Sequence, residues 1–165
     1  MSMTTNPPSV VDSAGFTVRR TITIKATIDK VWAAVTEAEH LARWFPHTAV
    51  LPSATVGTRG VFTWDDYGSF PVRIEDVDPP HSIAYRWSNS APLEVPSEEI
   101  DEIELEPGRS TVFRFTLEEM EGGTQLTVVE TGFGALADPA ASMEDNRGGW
   151  NSELDELVAY LEGGS

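Results

Sequence analysis

The sequence contains no cysteine and only three histidines among its 165 residues. Without cysteine there are no disulfide bonds, zinc–thiolate sites, iron–sulfur clusters or thiol nucleophiles. The histidines, His40, His47 and His81, do not have the i, i+4 spacing of a helical zinc site. We therefore expect the protein to use neither a metal ion nor a cofactor.

Positive charge is also scarce. The 11 Lys and Arg residues stand against 27 Asp and Glu, which gives a net charge of −16 at pH 7. Such a field repels nucleic-acid phosphates and anionic lipid headgroups, so we expect no nucleic-acid partner and no membrane binding. The sequence also lacks an apolar run long enough to span a membrane and the basic-then-apolar layout of a signal peptide. We expect a cytoplasmic protein.

Acidic residues concentrate in one segment, from Glu94 to Glu106. A calcium-binding loop requires fixed ligand spacing and a glycine turn, and this segment has neither. We predict a solvated loop here and assign it no chemistry.

The chain is long enough to bury the core of one domain, since 40% of its residues are hydrophobic and five are tryptophan. The first strong pattern begins at Phe16, after residues rich in proline, serine and threonine. We predict a flexible leader over residues 1–15 and a single domain over residues 16–163.

Apolar and polar residues alternate in the segment from Val18 to Ile24, which predicts a half-buried strand. The spacing then becomes helical, with Thr27 as the N-cap of a first short helix. Thr36 and Glu39 have the spacing of a capping box, which predicts the start of a second short helix.

Pro46 ends the second helix, and the remaining pattern is a series of strands separated by short turns. Short turns between successive strands favour an antiparallel meander. The chain closes with a long helix that Asp138 caps, because Met143, Trp150 and Leu157 recur on one helical face.

Short segments in a fixed order carry a resemblance to a known family. They are residues 30–36 (KVWAAVT), 39–45 (EHLARWF), 77–80 (VDPP), 83–87 (IAYRW), 123–128 (GTQLTV), 132–133 (GF) and 149–161, which begins Gly-Trp. Together they resemble the AHSA-type family, the homologues of the heat-shock chaperone ATPase activator, within the START-like (SRPBCC) superfamily. The resemblance implies an α+β helix-grip fold, in which a curved antiparallel sheet wraps a long C-terminal helix and leaves a cavity between them. Because that superfamily includes carriers, cyclases and co-chaperone modules, the fold alone does not define the function.

Glu130 is the most informative acidic residue. By the period of two, Leu126, Val128 and Glu130 share one face of the last strand, so Glu130 points toward the core if the other two do. Arg147, one turn before Trp150 on the long helix, is a candidate partner. Two interpretations remain open: Glu130 anchors a polar group of a ligand, or it is a structural group that reaches a partner or solvent at the strand end.

Aromatic residues on the strands and on the elements that close the two ends predict an apolar pocket with a few polar groups, although simple core packing is the alternative. The predicted ligand-binding residues are Trp44, Phe62, Trp64, Phe115, Glu130, Phe133, Arg147 and Trp150.

We therefore predict that the protein binds or carries a small hydrophobic or aromatic molecule. The first alternative is a polyketide cyclase- or dehydratase-like enzyme, with Glu130 as the base and Tyr85 or His47 as the proton donor. The second is a co-chaperone that presents its surface to a chaperone. We rank this one lower because a single domain of this length has no room for the extra N-terminal module of the eukaryotic activator.

Overall fold

The computed structural model describes residues 6–65, 68–88 and 110–163. The acidic segment from Glu94 to Glu106 lies outside these residues, and so does its predicted loop. Within the described ranges no helix is both long enough and apolar enough to cross a membrane.

The described chain forms eight strands, three α-helices and one short 3-10 helix. The strands are β1 (Val10–Asp12), β2 (Thr17–Ile24), β3 (Thr48–Val50), β4 (Arg59–Trp64), β5 (Gly68–Asp78), β6 (Ser82–Ser88), β7 (Ser110–Met120) and β8 (Gly123–Thr131). The helices are α1 (Ile28–Thr36), α2 (Ala38–Trp44), the 3-10 helix (Phe133–Ala135) and α3 (Pro139–Gly163).

All eight strands belong to one curved antiparallel sheet with the order β1-β2-β8-β7-β6-β5-β4-β3. The run from β3 to β8 is a meander, as the short turns predict, and β2 joins its end by pairing with β8. The long helix α3 lies against this sheet and buries one face, which includes Trp150, Leu154 and Leu157. The predicted α+β helix-grip fold is confirmed.

Residues 6–15 contain more regular structure than the sequence pattern indicates. Strand β1 lies inside the range that we assigned to a leader, and it pairs with β2 through Val10 and Arg19. The side-chain amide of Asn6 bonds both the N–H (2.8 Å) and the carbonyl (3.3 Å) of Thr23. Three residues are too few to produce a recognisable alternation, so this strand depends on tertiary contacts.

The two short helices differ in how they begin. Thr27 caps α1 as predicted, and its side chain accepts the N–H of Lys30 at 3.4 Å. The capping box predicted for α2 is wrong: the N-cap is Glu37, and the Thr36 hydroxyl instead donates to the Trp32 carbonyl at 2.7 Å. Because Thr36 still belongs to α1, its hydroxyl satisfies an acceptor of the helix that it ends.

Candidate functional site

Glu130 lies on the inward face of β8. It is fully buried together with Leu126 and Val128, which is the orientation that the strand period predicts. A carboxylate at such a position is costly unless hydrogen bonds replace its water shell.

Among the described residues, four side chains donate hydrogen bonds to Glu130. The Trp150 indole donates to Glu130 Oε1 at 2.8 Å, and the Trp87 indole donates to Oε2 at 2.9 Å. The Thr111 hydroxyl donates to Oε2 at 2.5 Å. The amide of Asn146 donates to both oxygens, at 3.0 and 2.9 Å. We call these five residues the Glu130 network.

Strand register and helix period explain why these residues meet. Trp87 and Thr111 are opposite partners on β6 and β7, and Glu130 on β8 is opposite the next inward residue of β7, Phe113. Asn146 and Trp150 are one turn apart on α3, so they face the same carboxylate. The network therefore ties three strands to α3 at one end of the sheet.

The predicted pairing of Glu130 with Arg147 is wrong. Arg147 is partly exposed and makes a charge-assisted hydrogen bond to Glu144, three residues before it on α3. Asn146 occupies the inward position instead, because it lies four residues before Trp150 and shares its face.

An aromatic cluster fills the interior next to this network. Its members are Trp44, Phe45, Phe62, Trp64, Phe70, Tyr85, Trp87, Phe113, Phe115 and Trp150, each of which has a ring contact with at least one other member. Five of them, Trp44, Phe62, Trp64, Phe115 and Trp150, are among the predicted ligand-binding residues. Burying each ring contributes about 1.5–3 kcal/mol to the free energy of folding, so the cluster stabilises the hydrophobic core whether or not a ligand binds.

Phe133 is placed differently from the other predicted aromatic residues. It is fully buried in the 3-10 helix that follows β8. Within the described parts of the chain, no ring contact joins it to the aromatic cluster. Phe133 nevertheless belongs to the same hydrophobic core as Trp44, Trp64 and Trp150.

Neither proton donor of the enzyme alternative is directed at Glu130. The Tyr85 hydroxyl donates to the Val35 carbonyl at 2.6 Å, and burial raises the pKa of Tyr85 above its ordinary value. His47 lies at the surface, where its Nδ1 accepts the N–H of Asp65 at 2.7 Å. A hydroxyl that is hydrogen-bonded to a backbone carbonyl, or an imidazole that lies at the surface, is not positioned to act as the acid at Glu130.

The sequence analysis did not predict a role for Arg20. Arg20 bonds the backbone carbonyl of Trp150, whereas Glu130 bonds its indole. The Arg20 side chain is 3% exposed and donates to the carbonyls of Trp150 (3.3 Å) and Asn151 (3.0 Å). It also donates to Asp155 at 2.7 Å and to the Pro7 carbonyl at 2.8 Å. The signal was present, because Arg20 occupies an inward position of β2 between buried apolar residues.

Glu153 is a partly buried carboxylate close to the cluster. Burial raises its pKa to about 7, a hydrogen bond with the Trp64 side chain opposes that shift, and the charge of Glu156 adds to it. Glu153 lies three residues after Trp150 on α3, so its contact with Trp64 connects the helix to β4. Among the residues that the structure describes, no group of His, Asp or Glu could hold a metal ion.

A curved antiparallel sheet that grips a C-terminal helix over an aromatic interior defines a helix-grip protein. The family model of the activator of Hsp90 ATPase homolog 1-like proteins matches residues 25–162. The match covers most of the chain, and the chain belongs to this family. No curated protein matches it.

Solved structures share the fold at low sequence identity. Protein MLL2253 from Mesorhizobium loti is 22% identical with a TM-score of 0.72, over 90% of this chain and 98% of that one. The Aha1 protein from Colwellia psychrerythraea, solved as a dimer, is 20% identical with a TM-score of 0.64, over 90% and 98%. DynU16, from the dynemicin biosynthetic locus, is 24% identical with a TM-score of 0.70 over 90% of this chain, which spans about half (48%) of DynU16. Likeness at this identity establishes the fold.

Proposed function

We propose that this protein binds a small molecule with an aromatic or apolar body at the end of the sheet–helix interior where Trp64, Trp87 and Trp150 lie. The observation that carries the proposal is Glu130, a fully buried carboxylate that receives hydrogen bonds from β6, β7 and α3 within an aromatic interior. An apolar lining with a few converging polar groups is typical of ligand sites.

The position of the site supports the proposal as well. The Trp64 and Trp87 rings lie 6.0 Å apart and the Trp87 and Trp150 rings lie 6.0 Å apart, so Trp87 adjoins both of the other indoles. Trp87 is only partly buried, so this end of the interior adjoins the surface. A ligand that enters here meets aromatic rings first and the Glu130 network next.

Binding is favoured over catalysis by the state of the polar groups. Both oxygens of Glu130 accept hydrogen bonds from neutral donors, and the Tyr85 hydroxyl donates a hydrogen bond to the Val35 carbonyl. The cyclase-like alternative requires a base and an acid that are free to exchange protons with a substrate. The co-chaperone alternative rests on the family description, and no described surface feature favours it. The cytoplasmic location stays a prediction from the sequence.

A titration with 1-naphthol, an aromatic probe that carries one hydroxyl, tests the proposal. In ¹H–¹⁵N spectra the five tryptophans give five indole N–H signals. We expect the signals of Trp64, Trp87 and Trp150 to shift and to saturate as 1-naphthol is added, because their rings surround the site.

Trp32 provides an internal control, since it lies on α1 outside the aromatic cluster. Its signal should stay in place during the same titration. Indole signals that do not move up to the solubility limit of 1-naphthol, or a shift of Trp32 as large as that of Trp150, would contradict the proposal.

A further inference from the structure

Phe45 occupies the centre of the aromatic cluster. Its ring stacks on Trp44 at 4.9 Å and stands nearly perpendicular to Trp64 at 5.3 Å and to Phe113 at 5.9 Å. It also lies 5.5 Å from Trp150. The phenyl group of Phe45 is therefore surrounded by the same rings that the proposed ligand site uses.

Phe45 lies outside the paired strands, and its backbone N–H bonds the Leu41 carbonyl at 2.9 Å. Phe62, Trp87, Phe113 and Phe115 belong to strands of the sheet interior, whose backbones pair on both sides.

Trp150 is fixed on α3 by Glu130 at its indole and by Arg20 at its carbonyl. Phe45, in contrast, follows the seven-residue helix α2 as its C-cap, in an irregular backbone conformation, and precedes Pro46. Proline has no N–H, so Pro46 itself donates no backbone hydrogen bond, and the next one is from the His47 N–H to the Thr63 carbonyl at 2.8 Å.

The part of a packed cluster that moves is the part with the fewest backbone constraints. Beyond Pro46 the chain enters β3, a three-residue strand at the edge of the sheet with partner β4 on one side. A rotation at Phe45 therefore leaves the paired strands and the Glu130 network in place.

Resting on the proposed function, we infer that the Phe45 ring occupies the position of an aromatic ring of the ligand and leaves that position when the ligand binds. The ligand class is then a molecule with at least one planar six-membered aromatic ring. Such a ring would stack on Trp44 and meet Trp64 and Phe113 edge to face, which is the arrangement that aromatic pairs prefer.

The variant Phe45→Ala tests the inference through affinity. In the wild type 1-naphthol must first displace a buried phenyl ring, whereas in Phe45→Ala the position is open. We expect Phe45→Ala to bind 1-naphthol roughly tenfold to hundredfold more tightly than the wild type. In the wild type, the free energy needed to expose the buried phenylalanine weakens binding by that factor. The gain in affinity should be smaller for the saturated analogue decahydro-1-naphthol, since it has no aromatic ring.

Phe113→Ala is the matched control, because Phe113 is a fully buried phenylalanine of the same cluster on a central strand. Any large-to-small substitution in a core opens a cavity, and an apolar cavity can take up aromatic molecules. If Phe113→Ala binds 1-naphthol as tightly as Phe45→Ala does, the effect belongs to cavities in general and the inference is overturned.

A second measurement does not depend on the stability of the variants. 4-Fluorophenylalanine at position 45 of the otherwise wild-type protein should give a ¹⁹F signal that moves to the solvent-exposed position when 1-naphthol saturates the site. If the indole signals report saturation while the ¹⁹F signal stays buried, the inference is wrong and the proposed function stands. If the indole signals report no binding, the proposed function itself has failed.

Discussion

Glu130 occupies a position where an apolar side chain is usual, between buried residues of β8 and the aromatic cluster. Within the described ranges, two indoles, one hydroxyl and one amide donate hydrogen bonds to this carboxylate. An arrangement of this kind stabilises the fold only while every member is present, since a lost partner leaves a buried polar group unsatisfied. The residue that defines the site therefore also fixes the distance between α3 and the sheet.

The substitution Glu130→Gln tests this role. The amide nitrogen of glutamine would face indole, hydroxyl or amide donors, so at least one hydrogen bond would be lost inside the protein. We expect the free energy of unfolding, measured by urea denaturation, to fall by about 1–3 kcal/mol. Glu118→Gln, at an exposed position of β7, should change it by less than about 0.5 kcal/mol. Equal effects of the two substitutions would contradict the structural role of the network.

The sequence predicts some residues of the site and misses others for physical reasons. The inward orientation of Glu130 follows from strand alternation alone, because the period of two is independent of the neighbouring elements. Its partners do not follow, since the choice between Asn146 and Arg147 depends on how α3 is rotated against the sheet. Phe45 was missed as the central ring because its position depends on an irregular turn after α2.

At the scale of elements, long periodic segments are predicted well and short ones are not. The meander and α3 follow from patterns that extend over many residues, whereas β1 has only three residues and no pattern of its own. The capping box failed because Thr36 and Glu39 have the correct spacing for a helix start, yet Thr36 is the last residue of α1. The spacing of two residues in the sequence does not show to which of two adjacent helices a polar side chain will hydrogen-bond.

Gly148 and Gly149 lie inside α3 just before Trp150, and nothing lies within 4 Å of a β-carbon added at either position. Glycine in a helix interior is less favourable than alanine by about 0.8–1 kcal/mol. We expect Gly148→Ala and Gly149→Ala each to raise the free energy of unfolding by roughly that amount.

Gly123 gives the contrasting case. A β-carbon there would lie 2.2 Å from the carbonyl oxygen of Ile24, so Gly123→Ala should destabilise the protein instead. A loss of stability in both α3 variants would show that the helix requires its glycines and would contradict this prediction.

For the whole molecule, the net charge of −16 makes the ionisation of partly buried acids important. Burial raises the pKa of Glu153 from 4.5 to about 7. Between these two pH values, Glu153 therefore keeps a proton in the folded protein that it has released in the unfolded chain. The stability that this proton provides is complete below about pH 4.5 and is lost as the pH rises through 7. We expect the contribution of Glu153 to the free energy of unfolding to fall by roughly 1–3 kcal/mol between pH 4.5 and 8.

Urea denaturation at several pH values measures this contribution as a difference between variants. The wild type should lose more stability over the interval than Glu153→Gln, which cannot ionise. Glu156→Gln should lose nearly as much stability as the wild type over the same pH interval, because burial and not Glu156 is the main cause of the raised pKa of Glu153. If the free energy of unfolding changed with pH in the same way in the wild type and in Glu153→Gln, the raised pKa of Glu153 would be contradicted.

A crystal structure of the protein with bound 1-naphthol would test whether the aromatic interior beside Glu130 accepts a small aromatic molecule, as we propose. We expect density for the probe among Trp64, Trp87 and Trp150, next to the Glu130 network. Density confined to the outer surface, with the aromatic cluster unchanged, would contradict it.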